Sequence, residues 1–547
     1  MLSKALSRRL AYGTGAVALG LASDHYFYCD SVTRNLRTVV TAAAVAYQVW
    51  YQFKYSPSCV DEVNEKTANL ILETCARNGG LYIKFAQQIA SFSAVLPPQW
   101  YNLKQLYDRA PPIPFDQVVR VIQQELGAHP SVLFDEFDET PIASASIAQV
   151  HKARLKGSHE MVAVKVQKPD VRVQVDLDLF VFKTVVHLME GFFNLPISWT
   201  LDTLDTHIRQ ELDFVNEAWN AKKAASNLLE NRPLSQAVHI PTVYLDLTAG
   251  RVLTAEWIDG ISLVDIERVQ YTWSSNQITT AMTNLVNVFS DQIFRTGFVH
   301  CDPHPGNIFV RPNPLNPGTP QLILLDHGLY IQCTPQFTDE YTRLWTSLLA
   351  NDIASIERIT DEWGLSDVQM SAMLTLQRSW TQDKGVTHDS SGSPVGWSND
   401  PEERRRQVWE MQEKVADRLR GHFRDTERVP RELMFVGKNM NLVRSNNKSY
   451  GSPVNRVNLL CTAAIAAGRA RNPAPPSFRQ QLLTYNTLGS VLIVFQLSKF
   501  WSSLVLWWNW VFGMRKSSEC FEDLLDRKLK GAVYAQTGIL LQENAFD

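Results

Sequence analysis

The stretch His300-Cys301-Asp302-Pro303-His304-Pro305-Gly306-Asn307 decides how the rest of this sequence is read. An Asp stands five residues before an Asn, just ahead of an apolar run expected to form a strand. That is the spacing of a phosphotransferase catalytic loop, in which the Asp orients or deprotonates the acceptor and the Asn holds a magnesium ion. Nineteen residues after Asn307 comes Leu324-Leu325-Asp326-His327-Gly328. An Asp at the end of an apolar strand, followed by a turn-permitting glycine, supplies a second metal ligand in such enzymes. Magnesium takes hard oxygen ligands and shares them with phosphates, so Asn307 and Asp326 suffice around bound ATP. His300 and His304 are four apart with no third ligand in view, which is too little for zinc. Cys301 reads as a structural thiol.

Upstream, Met161-Val162-Ala163-Val164-Lys165-Val166 has the pattern of the strand that carries a phosphate-binding lysine, Lys165. Before it lies Ala143-Ser144-Ala145-Ser146-Ile147-Ala148-Gln149-Val150. Set against the G-x-G-x-x-G-x-V loop of kinases, the frame is kept, but Ala143, Ala145 and Ala148 stand where the glycines would be. Alanine restricts positive φ and adds a methyl where backbone approaches phosphate. Ser144 and Ser146 are candidate donors to phosphate oxygens. The lysine needs an acidic partner. Glu211 and Glu217, in the helical stretch 210–218, are the candidates, and Glu211 is preferred. Val252–Gly260 reads as a strand running into an inter-lobe connector whose backbone pairs with adenine around Glu256–Ile258.

The chain has 547 residues, 45% hydrophobic and 20% charged, which implies several units with sizeable cores and excludes wholesale disorder. A net charge of −3 argues against a general nucleic-acid binder. Seven cysteines are scattered without a C-x-x-C pair, so no disulfide scaffold or zinc ribbon is expected. Helical periodicity is expected over 61–77, 81–92, 116–126 (stopped by Gly127), 176–193, 201–229 and 278–296 (stopped by Gly297). Strands are expected at 150–153, 161–166, 243–247, 251–257 and 322–325, and a proline-rich turn at 311–320. From Thr334 the chain reads mostly helical, with 384–400 as a mobile loop. No A-P-E sequence follows Gly328, which counts against an ordinary protein kinase.

The first 23 residues carry Lys4, Arg8 and Arg9 and no acid until Asp24, the look of a mitochondrial presequence. An apolar run over 39–53 is short for a span and reads either as a thin or tilted span or as a buried helix. A run over 488–513 includes Lys499, and Trp501, Trp507, Trp508 and Trp510 crowd one end. A helix lying on a membrane or packing on the domain fits it better than a free span.

With these motifs the chain resembles the UbiB, or aarF-domain-containing, family of atypical protein-kinase-like proteins. The resemblance is carried by the alanine-rich loop 143–150, by the 300–307 stretch, by Glu211-Leu212-Asp213-Phe214-Val215-Asn216-Glu217-Ala218-Trp219-Asn220 and by Leu103–Pro112. It is also carried by Asn78–Gln87, similar to the family's K-x-G-Q motif, with Lys84 and Gln87 as the matching residues. It covers roughly residues 60–350. Ala86 and His327 depart from the family's glycine and phenylalanine.

The resemblance implies an α+β, bilobal protein-kinase-like fold with an N-terminal K-x-G-Q helical extension and a helical C-terminal region. It divides the chain into a mitochondrial presequence (1–37), a possible transmembrane segment (38–56) and the K-x-G-Q extension (57–139). A kinase-like N-lobe (140–260), a C-lobe (261–480) and amphipathic, membrane-associated C-terminal helices (481–547) follow. It further implies that Lys84 and Gln87 point into the nucleotide site, with ATP and Mg2+ as cofactors and a membrane lipid or quinone as partner. The activity implied is a kinase or ATPase of the mitochondrial inner membrane in lipid or coenzyme Q homeostasis. The alternatives are a catalytically silent nucleotide-sensing scaffold and a small-molecule kinase; the K-x-G-Q segment argues against the second.

Overall fold

The computed structural model describes residues 19–55, 60–91, 100, 102–103, 106, 111–193, 201–365, 371–372, 375–376, 428–472, 478–512 and 520–528. The expected loop at 384–400 and residues 1–18 of the expected presequence lie outside them. The chain divides into two compact units, Met1–Val215 with Tyr244–Trp257, and Asn216–Val243 with Ile258–Asp547.

The first unit holds helices α1 (Ser31–Tyr55), α2 (Val60–Asn78), α3 (Leu81–Ser91) and α4 (Phe115–Leu126). Strands β1 (Phe134–Phe137), β2 (Ala143–Ser144), β3 (Ala148–Leu155) and β4 (Met161–Gln167) follow, then α5 (Pro169–Phe193) and α6 (Leu201–Glu211). Helix α7 (Phe214–Leu229) and strand β5 (Val238–His239) fall mainly in the second unit, and β6 (Val252–Glu256) returns to the first. The order β1-β3-β4-β6, with β2 on β3, makes an antiparallel five-stranded sheet. Along β4 the period of two sends Val162, Val164 and Val166 into the core, so Lys165 falls on the opposite face. The buried face packs under Val118, Val121 and Ile122 of α4, which Gly127 ends at φ 71°. Each such valine contributes about 1.5–3 kcal/mol by leaving water.

Helix α1 contains the apolar run 39–53. One face is packed, with Val45 and Val49 buried, while Val40, Tyr47 and Trp50 are exposed. Its first turns carry a buried polar cluster. Arg34 Nη2 lies 3.0 Å from Asp178 Oδ2 of α5, and Asn35 Nδ2 donates to Asp178 Oδ1 at 2.7 Å. Tyr82 of α3 donates to Asn35 at 2.7 Å. Buried charges persist only when paired and hydrogen-bonded, which ties α1, α3 and α5 together.

In the second unit β5, β7 (Ile261–Ser262), β9 (Ile308–Asn313) and β10 (Asn316–Leu324) form a sheet in the order β5-β10-β9-β7. Before β9 run α8 (Ser275–Asp291) and β8 (Phe298–His300), and β8 pairs with β11 (Tyr330–Gln332). Helices α9 (Pro335–Ala350), α10 (Ile353–Glu362), α11 (Arg431–Ser449), α12 (Arg456–Arg471) and α13 (Phe478–Phe512) complete the unit. Its core includes Leu285, Val299, Leu344, Trp345 and Val457, all fully buried.

Three expectations need correction. The strand at 243–247 is a 3-10 turn at Leu245–Leu247, because the Thr248 hydroxyl and the Leu247 N–H both close onto the Tyr244 carbonyl. The helix at 201–229 breaks at Leu212–Asp213, where the Asp213 carboxylate accepts from the Val215 N–H at 3.1 Å and starts α7 anew. The turn at 311–320 is a hairpin. β9 runs to Asn313, whose side chain accepts from the Leu315 N–H, and Pro312 faces Pro320 beside a bulge that spares the ladder their missing donors. Among the described residues, the helix long and apolar enough to cross a membrane is Gln480–Val505, within α13.

Candidate active site

The second unit positions the 300–307 loop from all sides. Gly297, at φ 64°, ends the π-helical turn Gln292–Thr296 that follows α8 and turns the chain into β8. His300 is buried, which holds its imidazole below the ordinary range, so Nδ1 stays an acceptor and takes the Asp302 N–H at 3.0 Å. Cys301 is buried against Leu329 and Phe435, and burial pushes its thiol up, as suits a structural role. His304 Nδ1 accepts from the Gly306 N–H at 3.1 Å. A Cβ on Gly306 would sit 3.2 Å from that ring, a tight approach that would press on the imidazole. Both histidines therefore serve the backbone through Nδ1.

Asn307 is the hinge of the arrangement. Its N–H donates to the His304 carbonyl (2.8 Å), its Nδ2 to the Asp302 carbonyl (3.3 Å), and its own carbonyl accepts from the Leu325 N–H (2.8 Å). The last bond sets Asp326 beside the loop. Asp326 adopts φ 54°, in the left-handed region that Asp tolerates better than most residues. Its Oδ1 accepts from the Gly328 N–H at 3.3 Å. The Asn307 amide oxygen and the Asp326 carboxylate are both hard oxygen donors. Two such ligands are few for an all-protein cage and fit a Mg2+ shared with phosphates. His327, in the place of a phenylalanine, is buried, 3.0 Å from the Tyr330 hydroxyl and 3.0 Å from the Leu324 carbonyl oxygen.

Sequence reasoning expected helix from Thr334 onward but missed what α11 contributes to the loop. Asn439 Nδ2 donates to the His300 carbonyl at 2.6 Å and Asn446 Nδ2 to the Pro303 carbonyl at 3.0 Å. Lys438 Nζ lies 3.3 Å from Asp302 Oδ1. Four asparagines within one helix (439, 441, 446, 447) were the available signal, because asparagine is a poor helix former kept for its hydrogen bonds.

In the first unit the alanine loop is a tight turn. Ala143 pairs with Val150, Ser144 with Gln149, and the Ala145 N–H donates to the Ala148 carbonyl at 2.8 Å. No residue from 143 to 148 has positive φ, so this backbone needs no glycine. Ser146 is buried, and Ser144 Oγ is buried without a hydrogen-bond partner. Lys165, opposite Val150, places Nζ 5.1 Å from the Phe214 ring centre. Beside the loop, Lys168 donates to the Pro111 carbonyl at 2.8 Å, and Gln149 Oε1 accepts from the Ile113 N–H. Glu256 ends β6 in this unit, and Ile258 is the first buried residue after it, in the other.

The lysine–glutamate pairing differs from the expectation. Glu211 is bonded to Lys84 (2.7 Å) rather than to Lys165. As the last residue of α6, Glu211 follows that helix and not α7. Glu217, in the first turn of α7, is buried. Gln87 lies on α3 almost one turn beyond Lys84, and its side chain is outside the described residues.

Comparison with known proteins identifies the family. Residues 105–360 match the ABC1 atypical kinase-like domain. The ABC1 family protein lscO of Purpureocillium lilacinum is 32% identical over 537 residues, covering 92% of this chain and 88% of that protein. AarF domain-containing protein kinase 1 of Mus musculus is 31% identical over 514 residues, 90% and 93% of the two chains. A probable serine/threonine-protein kinase, abkD of Dictyostelium discoideum, is 32% identical over 478 residues, 84% of this chain and 66% of that one. The loop, the strand lysine and full-length similarity together place the chain in the ABC1, or AarF-domain, family of atypical kinase-like proteins, whose kinase-like fold it has.

Proposed function

We propose that the chain binds Mg-ATP and turns it over, as a kinase or ATPase, at the mitochondrial inner membrane in lipid or coenzyme Q homeostasis. One observation carries the nucleotide part: the Leu325–Asn307 backbone bond that joins the Asp302/Asn307 loop to Asp326 within one unit. Asn307 and Asp326 would hold Mg2+, which supplies neutralisation of phosphate charge. Asp302 orients a hydroxyl or water and takes its proton. The acceptor oxygen bonds to the γ-phosphorus as the β,γ-bridging P–O bond breaks, and ADP leaves with the electron pair. Lys165 is the candidate for the α- and β-phosphates.

The membrane part is supported by α13, where only 11% of the apolar window is buried and Leu497, Phe500 and Trp501 are exposed. The acid-free basic N-terminus supports the mitochondrial address. The nucleotide test is thermal stabilisation by Mg-ATP, expected in the wild type and lost in Asp326→Asn. No shift at millimolar nucleotide overturns the reading. Phosphate release is then measured with and without liposomes, and release that is undiminished in Asp302→Asn rules out this site as its source.

A silent nucleotide-sensing scaffold is the second reading. It is favoured by the methyls of Ala143, Ala145 and Ala148 in the glycine positions. Binding without release would select it.

A further inference from the structure

We propose that Lys438 is a positioning residue for Asp302, and that one face of α11 is the device that sets the loop's working geometry. This inference rests on the Mg-ATP turnover reading and adds its missing part.

Residues 435, 438, 439 and 446 of α11 are separated by steps of three, one and seven, which puts them along one face of a helix. Each meets a different part of the same loop. Phe435 packs on Cys301, Lys438 pairs with the Asp302 carboxylate, and Asn439 and Asn446 take the His300 and Pro303 carbonyls. The backbone on both sides of Asp302 is thus held from α11, and so is the Asp302 side chain itself.

The Lys438–Asp302 pair differs from its neighbours in exposure. Asn439 is fully buried and Asn446 nearly so, whereas the Lys438 and Asp302 side chains are 31% and 35% exposed. A pair that wet contributes little to folding. Its effect is local: an ammonium 3.3 Å from Oδ1 favours the carboxylate rotamers that keep that contact, and so aims the side chain.

The experiment measures phosphate release from Mg-ATP with liposomes and Mg-ADP affinity by thermal shift. It uses the full chain, Lys438→Met, Lys438→Arg, Asp302→Asn and the Asp302→Asn/Lys438→Met double variant. Lys438→Met is expected to fold, keep its Mg-ADP affinity within about twofold, and lose on the order of 10- to 100-fold in kcat. Lys438→Arg restores most of the rate, and the double variant is no slower than Asp302→Asn alone, because the two residues act as a unit. Unchanged kcat in Lys438→Met, or losses that multiply in the double variant, would overturn the inference while leaving turnover intact. A wild type that binds Mg-ATP and releases nothing overturns the turnover reading and this inference with it, and differs from the previous outcomes in that the unmutated chain already fails.

Discussion

The loop at 300–307 and the loop at 143–148 both belong to the candidate nucleotide chemistry, and they are built in opposite ways. The first is over-determined. His300, Pro303, Asn307 and Gly306 each answer to a specific partner, and two of those partners sit on a helix more than 130 residues away in sequence. The second is held by nearby chain, through pairing between β2 and β3, the Ala145–Ala148 bond across its turn and the Lys168 N–H on the Ile147 carbonyl, with a buried serine hydroxyl left unpartnered. A loop that aims a reacting carboxylate must not wander, since small misplacements cost rate steeply.

The contrast can be broken first at the brace behind α11. Arg456 of α12 and Glu522 are both fully buried and paired at 3.2 Å, and Asn447 of α11 also donates to Glu522. Glu522→Ala should cost about 3–5 kcal/mol, because a buried arginine loses its only carboxylate among the described contacts. The urea midpoint measures it, and a loss under 1 kcal/mol would mean that the brace is not a brace. Asn439→Ala comes next, at about 1–3 kcal/mol, since it strands the buried His300 carbonyl. It should also speed amide exchange at Asp302 and leave Ala145 unchanged; equal effects at both loops would erase the distinction.

The third test is a pH dependence in the first unit. Burial pushes Lys168 down to about 8 from 10.5. Between those values the unfolded chain binds the proton and the folded chain has released it, so stability rises with pH across about 8 to 10.5. The wild-type curve should gain on the order of 2 kcal/mol relative to Lys168→Met over that window, read from urea midpoints at stepped pH. Parallel curves would show that the Lys168–Pro111 contact is solvated. The smallest effect is expected at Ala145→Gly, about 0.5–1 kcal/mol from added chain entropy, because the turn does not use positive φ. The ratio of ATP to ADP affinity should change with it. A stabilising Ala145→Gly would contradict the turn geometry.

Much of the first unit was legible because its signals are local. The alternation in 161–167, the Gly127 stop and the alanine frame depend on neighbours in sequence, and they appear as β4, the α4 cap and the 145–148 turn. Misreadings fall where a side chain captures backbone. Asp213 restarts a helix that periodicity would have continued, and Thr248 closes a turn that reads as strand. The pairing of Glu211 with Lys84 was hidden for another reason. Two acids six residues apart on what read as one helix looked interchangeable, and only the break at Leu212–Asp213 separates them.

By itself, the sequence determined the residue types and their spacing: an Asp, an Asn and a second Asp around two short strands, and a lysine on the polar face of a third. These follow from period, turn chemistry and donor hardness, all of which act over a few bonds. Only the tertiary structure decided what holds them. The α11 face beneath Asp302, the Lys84–Glu211 bond and the buried Arg456–Glu522 pair each join residues tens to more than a hundred positions apart. Such contacts depend on which helix faces which loop once the core has packed, and no local pattern encodes that choice.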